Sequence, residues 1–350
     1  MNLTIRENVS LAEFTTLKIG GKARFFYSAQ TEDEIIEAVQ FAELNRLKIF
    51  ILGGGSNILI ADEGFDGLVL QIALKGISTF AKEDGKIYVT VGAGEDWDQF
   101  VAFCVKKNFA GVECLSGIPG FVGGTPVQNV GAYGQEVSET IVSVRCFDRK
   151  AKKIVELLND QCSFTYRSSI FNTTQKNRHI VLSVTFALQP DGIPKIFYRD
   201  LQNYFRDKKP NLQETRQAVI AIRSAKSMVI DDGDENSKSV GSFFKNPIVS
   251  NEKYLDIKEK AKSFDIEDVP NFKVDERQVK IPAAWLIEKS GFRKGYARGQ
   301  AGISTNHTLA IVNRGSATAQ DIIELMREIQ TIVSEVFGVL LMPEPVFVGF

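Results

Sequence analysis

Histidine is nearly missing from this chain: His179 and His307 are its only two in 350 residues. Neither has a second histidine close by in sequence, so HExxH zinc sites and multi-histidine metal centres are excluded and no metal is expected. Cysteine is scarce too. Cys104, Cys114, Cys146 and Cys162 form no CxxC pair, and their scatter fits buried, reduced thiols. Excess charge is absent: 42 Lys+Arg against 43 Asp+Glu leave a net charge of −1, so bulk charge recommends neither nucleic acid nor an anionic membrane, and any anionic ligand must meet a local cluster. No apolar run of about 18 residues occurs, and the opening MNLTIRENVSLAEF lacks a basic stretch followed by an apolar one. The expectation is a cytoplasmic protein with no leader and no membrane insertion.

What is present is ordinary globular material, 44% hydrophobic and 24% charged, enough for two or three domains. Thr31 and Glu34 form a capping box, with Ile35, Ile36, Val39 and Ala42 behind it at helical spacing; a helix to about Asn45 is expected. The run LKIFIL (47–52) reads as a strand that ends in Gly53-Gly54-Gly55-Ser56-Asn57 and resumes as ILIA. Strands follow near 67–72 and 86–91, and Trp97, Phe100, Val101, Cys104 and Val105 mark the inner face of a helix. Strands broken by polar turns fill 141–190, and an acidic, Ser- and Gly-rich stretch after Ser227 suggests a domain change. Beyond it a buried helix (283–287) and a strand (308–313) are expected. A long helix follows, with Ile322, Met326, Ile329, Val333 and Val336 inside, Thr318 and Asp321 as its capping box and Gly338 as its stop.

Two glycine-rich loops carry the first chemical signal. GGGSN follows a strand, the setting in which backbone N–H groups cradle phosphate, but Ile58 stands where a GxGxxG fingerprint needs its third glycine and no GK[ST] follows. Gly92-Ala93-Gly94 fails in the same way at Trp97, and either of these two loops alone is a plain turn about as often as a ligand site. The stretch 117–134, GIPGFVGGTPVQNVGAYG, holds six glycines and two prolines. Two such loops in one mixed α and β domain could grip a pyrophosphate from both sides, so a dinucleotide bound outside the Rossmann scheme is plausible.

In order along the chain, ILGGGSN, VGAGEDW, SGIPGFVGGTPVQNVGAYGQE, FTYRSSIF, GSFFKNP and MPEPVFVG resemble the UDP-N-acetylenolpyruvoylglucosamine reductases (MurB), of the branch with an extra tyrosine-bearing loop. The resemblance implies an α+β protein: a two-subdomain FAD-binding fold of the vanillyl-alcohol-oxidase (PCMH) type plus a third α+β domain for the UDP-sugar. The corresponding boundaries are 1–75, with 338–350 returning to it, then 76–228, then 229–337. It implies NADPH-dependent, FAD-mediated reduction of UDP-N-acetylglucosamine enolpyruvate to UDP-N-acetylmuramate, a step of peptidoglycan synthesis.

Carried over residue by residue, the resemblance places FAD against Gly53, Gly54, Gly55, Ser56 and Asn57, against Ser116, Gly117, Ile118, Pro119 and Gly120, and against Gly124, Asn129 and Ala132. It gives catalytic roles to Arg167, Ser242 and Glu344, and substrate contacts to Tyr133, Tyr198, Lys226 and Asn246. The family's usual PEV reads Pro343-Glu344-Pro345 here, and 295–307 aligns too loosely to assign. The chemistry agrees with the residue types. Hydride addition to an enolpyruvyl double bond places negative charge beside a carboxylate; an arginine fork and a protonated glutamate stabilise it, and a serine facing so basic a carbon can surrender its proton. FAD tethers commonly use histidine, and neither loop has one, so the flavin is expected to be non-covalent. The resemblance implies NADPH as co-substrate, and a monomer is the expected working form. A different oxidase on the same fold, and a nucleotide-binding protein without turnover, are the other classes; joint retention of Arg167, Ser242 and Glu344 argues against the second.

Overall fold

The computed structural model describes residues 3–350; Met1 and Asn2, the start of the N-terminal stretch read above for a leader, lie outside the described residues. Two compact units emerge, each discontinuous in sequence. The first takes the chain up to Ser10, then Lys22–Gly55 and Phe65–Val229; the second takes Leu11–Gly21, Ser56–Gly64 and Ile230–Phe350.

In the first unit the strands Arg6–Ser10, Lys22–Ala29, Phe65–Ile72 and Lys48–Leu52 lie side by side in that order. The first pair is antiparallel and the other two are parallel. Helix α1 (Glu32–Leu44) packs its Ile35, Ala38, Val39 and Ala42 inward. Thr31 caps it by accepting the Glu34 N–H at 3.2 Å, while the Glu34 carboxylate reaches one residue past the cap, to the Gln30 N–H at 2.6 Å, so the expected box closes on Gln30 instead of Thr31.

The larger sheet of this unit is antiparallel throughout. Its order is Lys153–Leu158, Ile141–Asp148, His179–Pro190, Ile87–Gly92 and Ile77–Ala81, with Phe109–Ala110 added to the end of the twelve-residue strand. Helix α2 (Trp97–Lys106) turns the five apolar residues expected of it inward. Trp97, Phe100 and Phe186 interlock with ring centroids 5.0–5.9 Å apart, pinning α2 to the long strand. The Trp97 indole N–H also donates to the Leu115 carbonyl at 3.0 Å, which fixes the start of the second glycine-rich loop on the same core. Helices α3 (Arg199–Phe205) and α4 (Leu212–Ser224) cover a small separate cluster of Cys114, Leu201, Phe205, Ala218 and Val219.

The second unit is built around its helices. After α5 (Asn251–Lys262) and α6 (Ala283–Lys289) comes α7 (Ala319–Phe337), which starts at a closed Thr318–Asp321 capping box and stops at Gly338, whose φ of 65° is left-handed. Its buried stripe ends on Phe337 and not on Val336, because Phe337 lies four residues beyond Val333 and so on the same face. Ile58–Ile60 runs parallel to Val346–Val348 in this unit, a pairing of segments nearly 290 residues apart. The strand read at 308–313 is reduced to Ile311–Asn313. All four cysteines are free and buried; burial pushes Cys162 up to about 11 and the other three higher, so all remain thiols. No helix among the described residues is long and apolar enough to cross a membrane.

Candidate active site

In the first unit the two glycine-rich loops touch. A Cβ on Gly54 would lie 2.6 Å from the Gly120 Cα and 3.0 Å from the Phe121 nitrogen, far inside van der Waals contact, so glycine is required for backbone to meet backbone there. The chain passes from the first unit to the second within the GGGSN loop itself, between Gly55 and Ser56. The 116–120 loop is held from behind. Asp98 accepts the Gly117 N–H at 2.5 Å and pairs in fork geometry with Arg216 at 2.6 and 2.7 Å, while the Ser116 hydroxyl donates to the Glu113 carbonyl. Burial raises the Asp98 pKa, but the Arg216 and Gly117 hydrogen bonds and the charges of Arg216 and Arg223 together bring it below the usual carboxylate range. Ile118 and Pro119 are half-buried, and Gly124 is exposed.

Asn129 is 1% exposed and fully engaged: its amide donates to Glu136 and to the Thr165 carbonyl, and its oxygen accepts the Ser138 N–H. That side chain holds the loop's shape. Next comes a hairpin, Gly131–Ala132 against Gln135–Glu136, turned by Tyr133 and Gly134 at φ of 50° and 83°. Positive φ at both turn positions suits a two-residue hairpin. The sequence showed only glycine density there.

Arg167 sits at a positive φ of 52° in a tight turn between Thr165 and Ser168, its guanidinium donating to the Gly131 carbonyl at 2.7 Å. It is thereby aimed at the hairpin. Tyr133 and Tyr198 meet edge to face at 5.5 Å. Burial pushes the Tyr133 phenol up to about 12, opposed by the Arg223 charge and aided by Asp200 and Tyr198; burial raises Tyr198 as well. Lys226 forms an ion pair with Asp200 of α3 at 2.7 Å.

A residue missed from sequence stands three positions before Lys226. Arg223 donates from Nη2 to the Met228 carbonyl, but its Nε is sealed from solvent, has no hydrogen-bond partner among the described residues and lies 3.4 Å from where a Gly117 Cβ would be. Burial lowers its pKa, against the favourable charges of Tyr133 and Asp98. Two cations three residues apart, Arg223 in the last turn of α4 and Lys226 just past its end, were the available signal. An unmatched buried guanidinium donor behind a glycine loop fits an anionic or carbonyl-rich cofactor.

The second unit assembles the other catalytic candidates. Ser242 precedes the buried Phe243, whose carbonyl accepts the Glu344 N–H at 2.9 Å while its own N–H donates to Leu309. Phe244 bridges Pro343, and the Lys245 N–H donates to Met342. GSFFKNP and MPEP thus lie side by side, with Ser242 and Glu344 on adjoining strands of chain. Pro345 costs this ladder nothing, because the bonds are made by Glu344 and by Val346, whose N–H donates to Asn57 at 3.0 Å. The Asn57 amide donates back to the Glu344 carbonyl at 3.3 Å, so the end of the GGGSN loop is tied to the glutamate. Asn246 spends its carbonyl oxygen on the Ala283 N–H, the start of α6.

Residues 23–157 match the FAD binding domain model, and 233–348 match the C-terminal domain of UDP-N-acetylenolpyruvoylglucosamine reductase. The chain is 42% identical over 356 residues to the reductase of that name from Thermobifida fusca, covering 100% of this chain and 99% of the relative. The chain belongs to the UDP-N-acetylenolpyruvoylglucosamine reductase family. It is also 44% identical to the Streptomyces coelicolor reductase, over 97% of this chain and 89% of that one. The solved reductase of Thermus caldophilus superposes with a TM-score of 0.65, covering 99% of each chain at 24% identity, and shares the fold. The α+β class and the FAD-binding fold expected from the sequence are borne out by these matches. Both glycine-rich loops lie within residues 23–157, the part of the chain matched by the FAD binding domain model.

Proposed function

We propose that this chain reduces UDP-N-acetylglucosamine enolpyruvate to UDP-N-acetylmuramate for peptidoglycan synthesis, with NADPH as electron donor and non-covalent FAD as carrier. The observation that carries this reading is likeness along the whole chain to reductases of that name, with Arg167, Ser242 and Glu344 all present. Bound FAD would supply hydride-transfer chemistry between NADPH and the outer carbon of the enolpyruvyl double bond. The cradle for it is the Gly53–Asn57 loop meeting Ser116–Gly120, with Gly124, Asn129 and Ala132 beyond. The close approach of Gly54 to Gly120 and the unmet Arg223 Nε support that fit.

The chain's own residues then orient substrate and manage charge and proton. Arg167, fixed by its bond to Gly131, presents a planar cation to the substrate carboxylate. Glu344, held through its backbone to Phe243 and Asn57, shares in stabilising the charge that develops there. Ser242 gives its hydroxyl proton to the carboxylate-bearing carbon, the neighbour of the carbon that receives hydride, where the negative charge has developed. Lys226 and Asn246 engage the diphosphate, Lys226 by exchanging Asp200 for phosphate oxygen, and Tyr133 and Tyr198 close over the substrate side. In this reading 1–75 with 338–350 and 76–228 serve the flavin and 229–337 serves the UDP-sugar, in a cytoplasmic monomer. Purified protein is predicted to be yellow, to lose all its colour to the supernatant on acid precipitation, and to oxidise NADPH beyond the one equivalent that bleaches its flavin only when the enolpyruvyl substrate is added. Colourless protein after incubation with FAD, or flavin retained on the precipitate, refutes it.

A further inference from the structure

Glu113 is a carboxylate side chain 1% exposed, and its hydrogen-bond donors among the described residues are all N–H groups of neutral amides. An ionised carboxylate only accepts, so burying it is tolerable when enough N–H groups converge on it. Three do, from three different pieces of chain. Oε2 accepts the Gly111 N–H at 2.7 Å; Oε1 accepts the Gln135 amide at 2.9 Å and the Lys195 N–H at 3.3 Å. Gln135 completes a ring by accepting the Cys114 N–H at 2.8 Å.

The last two donors belong to the segments that carry the two tyrosines. Gln135 is the first residue after the Tyr133-Gly134 turn. Lys195 lies three residues before Tyr198, in a stretch, 192–197, with no helix or strand of its own. Every polar group of Lys195 is held: its N–H by Glu113, its carbonyl by the Cys114 thiol at 3.3 Å, and its ammonium by Glu139. Ile196 and Tyr133 both pack on the cluster of Cys114, Leu201, Phe205, Ala218 and Val219.

We propose that Glu113 is a positioning residue whose buried carboxylate clamps the Lys195 segment to the Tyr133 hairpin and so sets the edge-to-face Tyr133–Tyr198 pair for substrate. The proposal rests on the reading of those tyrosines as the substrate side. Glu113→Gln turns one acceptor into a donor facing N–H groups, which opens the clamp with almost no change in volume.

The experiment is a double-mutant cycle of Glu113→Gln and Tyr198→Ala, measured as KM for the enolpyruvyl substrate and as the rate of flavin bleaching by NADPH, with hydrogen exchange of peptides covering 191–205. Glu113→Gln is expected to raise KM about tenfold, the effect of one unmet buried hydrogen bond, with bleaching at the parent rate. In the Tyr198→Ala background it is expected to add little, because it acts through that side chain. Exchange in 192–198 is expected to quicken. Additive effects on KM, or slowed bleaching to the same degree, mean a merely structural carboxylate and overturn the proposal. So does unchanged exchange. If Tyr198→Ala leaves KM at the parent value while exchange in Glu113→Gln quickens, the clamp stands and the assignment of Tyr198 to substrate falls. If Glu113→Gln yields no folded flavoprotein, Gln135→Met, which removes the amide that ties the hairpin to Glu113, enters the same cycle with an expected effect of about threefold on KM; absence of coupling to Tyr198 then overturns the proposal.

Discussion

Replacing Gly54 by alanine tests whether the two glycine loops must touch. The new Cβ would sit 2.6 Å from the Gly120 Cα, 2.9 Å from its carbonyl carbon and 3.0 Å from the Phe121 nitrogen. All three are backbone atoms on a loop anchored by the Gly117–Asp98 and Trp97–Gly120 hydrogen bonds, so no flexible side chain can yield. Forcing an extra methyl into close-packed structure costs about 1–3 kcal/mol. For a unit of this size that lowers the melting temperature of the FAD-free protein by about 3–10 °C. If FAD needs the undistorted pair of loops, the same energy weakens its binding about 5- to 150-fold. Gly53→Ala is the matched comparison: its Cβ meets nothing within 4 Å, so FAD-free melting should stay within about a degree of the parent. Differential scanning fluorimetry without FAD and fluorescence titration with FAD measure both quantities. Parent-like melting and FAD affinity in Gly54→Ala, or equal destabilisation by Gly53→Ala, would refute the reasoning.

Other outcomes follow from the same geometry. Arg167→Lys keeps the charge and loses the planar fork, so flavin reoxidation by substrate should slow about 10²- to 10³-fold while reduction by NADPH is unchanged, as stopped-flow absorbance would show. Ser242→Ala should slow only reoxidation, by about 10²- to 10⁴-fold; equal collapse of both phases would make the serine a cofactor-positioning residue. Lys226→Ala should weaken substrate in a direct titration with flavin content intact, and unchanged affinity removes it from the site. Asp98 is held below its unfolded pKa, so its contribution to stability is complete above about pH 4 and drains away as pH falls through its lowered folded value. Urea denaturation of Asp98→Asn should therefore show a flatter acid limb than the parent, and an equally steep limb would discount the Arg216 pair.

Local periodicity made most elements legible in the sequence. The stripe from Trp97 to Val105 and the Thr318 box report only neighbouring residues, and they specify α2 and α7 directly. The pairing of Ile58–Ile60 with Val346–Val348 has no local signature; the resemblance alone implied that 338–350 returns to 1–75, and nothing in the sequence marked the passage of 11–21 and 56–64 into the second unit. Within the candidate site, motif order picked out Arg167, Ser242 and Glu344, and glycine density marked both loops. What it could not reveal is which polar residues are already occupied. Asn129 is consumed by three partners, Asn246 caps α6, and Lys226 faces Asp200; these are facts of folding at long range. Arg223 and Glu113 were passed over because a lone Arg or Glu is ordinarily a solvated surface residue, and only burial distinguishes them.

The most direct test of the account is one anaerobic titration. The purified flavoprotein is bleached with one equivalent of NADPH and then given UDP-N-acetylglucosamine enolpyruvate, with the flavin absorbance followed throughout and the product identified by mass. Full return of the oxidised flavin spectrum, with one equivalent of UDP-N-acetylmuramate formed, is the predicted result. A flavin that bleaches but stays reduced in the presence of that substrate, and recovers only when oxygen is admitted, would contradict it.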